Sequence, residues 1–171
     1  MEKVKGIKKL NKALKKAFKP FGDINMRLAT DYGYYPTDDT IEYRLTEGHI
    51  EDVWFNQFVK ERFGYKVKNT FMFSILHEIG HYYTLEEIRD CDIMYDFCED
   101  EKARIQEEMQ TANDKQSKKL EWQYFNLPDE IAATAWAVNY ARENAEEVEA
   151  IWQNVLKAIH KFYAKNITEE G

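Results

Sequence analysis

Apolar positions recur at helical spacing over residues 3–19. Val4, Ile7, Leu14, Ala17 and Phe18 form one stripe, with lysines filling most of the other positions. Pro20 and Gly22 end that helix. The period then drops to two: Ile24, Met26 and Leu28 alternate with polar residues across 23–30, which predicts a strand. A turn-rich stretch over 31–39 contains Gly33 and Pro36. Residues 40–45 alternate again, with Ile41, Tyr43 and Leu45 on one side. The two strands are expected to be neighbours in a sheet.

Helical spacing returns over 49–63, with Ile50, Val53, Trp54 and Phe58 inward and Val59 a further candidate. Gly64 stops it. Residues 65–67 are a candidate third strand. Asn69 or Thr70 can cap a helix over 70–82. Its first two turns are apolar nearly all round, which predicts a central, buried helix. Residues 84–114 form an acidic, helix-prone insertion, and Thr84-Leu85-Glu86-Glu87 has the form of a capping box. The polar run 115–119 suits a loop or a helix start. Pro128 suits the first turn of a helix over 128–142. A last helix over 144–164 carries Val148, Ile151, Trp152, Val155, Ile159 and Phe162 inward. No internal repeat is visible. These elements predict one α+β domain over 1–171, mostly helical, with a small sheet of two or three strands within 23–67.

Composition narrows the class. Apolar residues make up 44% and aromatics 15%, enough to build a core rather than a disordered chain. The net charge of −7 is unevenly spread: residues 1–20 hold eight lysines and one glutamate, so the rest is strongly acidic. A basic arm can touch nucleic acid or a membrane surface, but the simpler reading is the solvated face of an amphipathic helix. Nucleic acid is therefore not the expected partner. No stretch has the length and apolarity of a signal sequence or a membrane span, so no membrane association is expected. Cys91 and Cys98 stand two turns apart on a similar helical face, about 10 Å and too far for a disulfide. They read as reduced, half-buried thiols of a cytoplasmic protein.

The chemistry lies in His77-Glu78-Ile79-Gly80-His81. On a helix, His77 and His81 project from one face and both imidazoles can reach one metal ion. Glu78 is placed to hold and deprotonate a water. With this chain's histidine and glutamate content, the pattern arises by accident about once in a hundred such chains. Gly80 inside a helix costs about 1 kcal/mol against alanine, a cost that a close backbone approach would explain. Zinc needs a third protein ligand and one open position. Glu130 is the best candidate, one turn into a helix whose alanines at 132, 133, 135 and 137 permit close packing. Asp129 is the runner-up, with a shorter arm and a more terminal position. His49 precedes a helix and His160 lies near the C-terminus. Tyr140 and His160 are candidate stabilisers of a transition-state oxyanion, as are Tyr82 and Tyr83. The acidic cluster around Asp92, Asp96 and Asp100 lacks the glycine and loop spacing of a calcium-binding hand.

The chain resembles the gluzincin type of zincin zinc metallopeptidases. In particular it resembles the ImmA/IrrE family of phages, mobile elements and bacterial stress regulators. The matching stretches are His77–His81 and Glu130 with small residues leading to Trp136-Ala137, within about residues 20–142. The gap from His81 to Glu130 is long, and Val138-Asn139-Tyr140 stands where the family has Leu-Met-Pro. The resemblance implies a zincin-like domain with its small sheet packed on the His77–His81 helix. It also implies Zn2+ held by His77, His81 and Glu130, and hydrolysis of a protein or peptide substrate with Glu78 as general base. The alternative is a zincin-like phage or mobile-element factor that acts on a host protein by contact without catalysis. The sequence leaves substrate and oligomeric state open.

Overall fold

The computed structural model describes residues 2–46 and 48–167, and side chains over 6–46 and 48–165. The chain is mostly helical with one three-stranded sheet, an α+β arrangement. It divides into two compact units, residues 1–45 with 141–171, and residues 46–140.

The first unit begins with α1, Glu2–Ala17, followed by a single 3-10 turn at Lys19–Phe21. Its buried stripe is Leu10, Leu14 and Phe18, each four residues after the last. Leu10 was absent from the expected stripe, and the side chain of Val4 lies outside the described residues. The stripe packs against α7, Ala145–Ile167, which buries Ile151 and Val155. Strand β1, Asn25–Leu28, runs parallel to β3, Thr40–Tyr43. Met26 is paired with Ile41 and Leu28 with Tyr43, so the expected inward sets meet.

The third strand is not at 65–67. It is β2, Gly33–Tyr35, antiparallel to β3, giving the order β1-β3-β2. The turn residues on either side hide a short aromatic strand former, Tyr34-Tyr35, and the Tyr34 hydroxyl donates to Asp39 at 2.8 Å. Residues 65–67 instead lead from one helix cap to the next, and Tyr65 stacks on Phe73.

One polar side chain ties α1 to the sheet. Asn11 Oδ1 accepts from the fully buried Tyr43 hydroxyl at 2.7 Å and from the Leu28 backbone N–H at 3.1 Å. Burial also pushes the Tyr43 phenol above its ordinary pKa. Asn11→Ala removes the acceptor from both donors and is expected to cost about 1–3 kcal/mol. A denaturant midpoint equal to that of the wild type would show that neither donor depends on it.

The second unit contains α2, Ile50–Phe63; α3, Thr70–Arg89; α4, Asp92–Met109; α5, Asp114–Phe125; and α6, Pro128–Glu143, up to Tyr140. Helix α2 ends at Gly64 with φ 61°, as its sequence predicts. Its inward face differs from the expected one. Phe58 and Val59 are buried, but Ile50 and Val53 are 50% and 58% exposed. Phe55 points inward instead, against Phe73 and Phe125.

Asn69 caps α3, its Oδ1 accepting from the Met72 N–H at 3.1 Å. Every residue from 72 to 80 is buried. The helix continues past 82 to Arg89, so Thr84 opens no new helix. Its hydroxyl donates back to the Gly80 carbonyl at 2.9 Å, the bond a threonine makes inside a helix. Nothing near 84 breaks the backbone, and a capping box needs such a break. Cys91 is exposed ahead of α4 while Cys98 is buried within it, so the two free thiols are not both half-buried as expected. Asn113 and Gln116 form a capping box that starts α5. Among the described residues no helix is long and apolar enough to cross a membrane.

Candidate metal centre

Two helices of the second unit build the site. Helix α3 supplies His77, Glu78 and His81, and the first turn of α6 supplies Asp129 and Glu130. Gly80 sets the distance between these helices. A Cβ built there would overlap the Ala133 carbonyl oxygen and lie 2.9 Å from both its carbonyl carbon and its Cα. Glycine and alanine thus do what their positions suggest: they let two backbones touch, and the side chains one turn away converge.

His77 Nε2 lies 3.0 Å from Glu130 Oε2, and His81 Nε2 lies 3.3 Å from the same oxygen. The two ring nitrogens are 3.1 Å apart. His77 and Glu130 are buried and His81 is partly exposed, so the triangle has a floor and an open side. Protons cannot satisfy all three of its edges. If both rings donate to the carboxylate, their N–H groups face each other; if one ring accepts instead, its lone pair faces the carboxylate. A single cation facing all three atoms removes that conflict. Zinc with N and O ligands at about 2.0–2.2 Å has tetrahedral edges of about 3.3–3.6 Å, close to this triangle. The residues present therefore fit such an ion.

Supporting contacts fix each member. Thr134, fully buried one turn after Glu130, places its Oγ1 3.1 Å from His77 Nδ1. An N–H at Nδ1 donating to that hydroxyl leaves the Nε2 lone pair free for a metal. Phe55 meets the His77 ring edge-on at 5.2 Å. On the far side of Glu130, Lys102 Nζ lies 2.9 Å from Oε1 and also pairs with Asp129. The Tyr124 phenol interacts with Glu130 as well.

Burial alone would raise the Glu130 pKa. The charge of His81 and hydrogen bonds from both histidines override it and hold the carboxyl well below its usual range. Burial pushes the Tyr124 phenol well up, reinforced by the charges of Glu130, Glu78 and Asp129. Burial would likewise lower the Lys102 pKa, but the charges of Glu130 and Asp129 raise it above its ordinary value.

The structure brings together His77, His81 and Glu130, with Glu78 buried beside them on α3. Asp129 is turned to Lys102 and to the Glu130 backbone N–H, which it accepts at 2.9 Å. Tyr140 stacks on Trp136, which in turn stacks on Tyr83. His160 is exposed on α7, in the other unit. His49 precedes α2, 3.1 Å from the Thr46 hydroxyl. Sequence reasoning missed Lys102, Tyr124 and Thr134. Thr134 had a signal, its i+4 spacing from Glu130. No protein-family model, curated protein or solved structure matches the chain.

Proposed function

We propose that the chain is a zinc-dependent metallopeptidase of the zincin type, akin to the ImmA/IrrE family, acting on a protein substrate. The convergence of His77 Nε2, His81 Nε2 and Glu130 Oε2 on one point carries this reading. These three residues would hold the ion. Zinc supplies Lewis acidity when bound, lowering the pKa of a water to about 7 and polarising a carbonyl. Glu78, next in sequence to His77, takes a proton from the attacking water. It then delivers that proton to the leaving amine as the peptide C–N bond breaks. Thr134 fixes the His77 ring, and Phe55 keeps water from one side of it. A cytoplasmic location accords with two free thiols.

Glu78→Gln separates chemistry from binding. Purified wild type and variant are both expected to carry about one zinc per chain, since two histidines and a glutamate remain as ligands. Incubated with a denatured protein mixture, the wild type should generate new amino termini. The variant should do so about 100- to 10,000-fold more slowly. Zinc-free wild type, or equal cleavage by the variant, would refute a zinc peptidase. A variant that binds zinc, cleaves nothing and keeps the full biological effect would mean that the protein acts by contact.

A further inference from the structure

We propose that Lys102 is a positioning residue for the metal centre: it holds one oxygen of Glu130 so that only the other is presented to the histidines. This rests on the metal reading above and extends it to a helix outside the ligand set.

The two oxygens of the Glu130 carboxylate have different neighbours. Oε2 faces His77 and His81 at 3.0 and 3.3 Å. Oε1 faces the Lys102 ammonium at 2.9 Å. Lys102 is itself held in place. It pairs with Asp129, and its Nζ stands 5.5 Å from the centre of the Tyr124 ring. Its side chain is only 19% exposed. One turn earlier on α4, buried Cys98 lies against Asp129. Helix α4 is otherwise acidic, with Asp92, Asp96, Glu99, Asp100 and Glu101. Its other cation, Arg104, pairs with Glu101 and Glu108 on the helix surface. The inward lysine is therefore set apart from the charge pattern around it.

A carboxylate free to swing can chelate an ion through both oxygens and fill the position that catalysis needs open. An ammonium on Oε1 prevents this. It favours one-oxygen binding through Oε2 and keeps the arm from rotating away. Partners of this kind are typically worth about 10- to 100-fold in metal affinity.

Cobalt(II) reports both effects, because its visible absorption is severalfold stronger in four-coordinate than in higher-coordinate sites. The full chain is loaded with cobalt alone, its spectrum recorded, and its affinity measured by competition with a chromophoric chelator. Lys102→Met is expected to weaken the absorption severalfold and the affinity about 10- to 100-fold. Lys102→Arg should restore both towards wild type. Because Lys102→Met strips two carboxylates of their counter-charge, the Lys102→Met/Asp129→Asn double variant removes one charge of each sign. It should show the same spectral change. A wild-type spectrum and affinity in either Met variant, even with a lowered Tm, would reduce Lys102 to a stabilising contact. That result would leave the metal reading standing. A wild-type protein that takes up no cobalt would overturn both.

Discussion

Gly80→Ala is expected to destabilise the protein by about 3 kcal/mol or more and to abolish metal uptake. The sign is the informative part. In an open helix the same change stabilises by about 1 kcal/mol, because alanine is the better helix former. Here the added methyl would meet the backbone of Ala133 rather than a side chain that can turn away. Helices α3 and α6 must then separate, and the histidines move off Glu130. Ala133→Gly cannot relieve the overlap, since the nearest atoms are the carbonyl group and Cα. Denaturant unfolding of the single and double variants measures the stability change, and metal analysis of the purified proteins measures the uptake. A Gly80→Ala protein as stable as the wild type would mean that the two helices do not approach this closely.

Glu130→Ala should cost more in metal affinity than loss of any surrounding contact, thus beyond about 100-fold. It also removes a buried anion that faces two imidazoles and an ammonium. Breaking such a buried pair from one side costs about 3–5 kcal/mol, so the metal-free variant should also unfold at lower denaturant. Asp129→Asn is the control. Its Oδ1 can still accept from the Glu130 N–H, and the three atoms of the triangle are untouched. It should lose far less zinc affinity than Glu130→Ala. The reverse outcome, with Asp129 essential and Glu130 dispensable, would exchange the two residues' roles.

The periodic elements were legible. Helices over 49–63, 128–142 and 144–164 lie within a few residues of α2, α6 and α7, because an amphipathic period is a local signal. The pairing of β1 with β3 followed from matched alternation. What failed depended on distant partners. Strand β2 exists because β3 offers it hydrogen bonds, and a three-residue strand has no period of its own. The inward face of α2 is chosen by Phe73, Phe125 and His77, which lie on other helices. Thr84 matched a cap pattern, but a continuous helix offered its hydroxyl the Gly80 carbonyl instead. The gathering of His77, His81 and Glu130 was readable from residue types and from the small residues between them. Lys102 was not: nothing in an acidic stretch marks one lysine as turned inward.

Contacts among the chain's own residues hold the triangle. Helices α3 and α6 fix it through backbone contact, and Thr134 and Phe55 fix the His77 ring. Under the proposed reading, loading such a site orders little chain. Metal uptake should therefore leave the helix signal of a circular dichroism spectrum almost unchanged. The ion would then be gained and lost without folding or unfolding the helices that hold it.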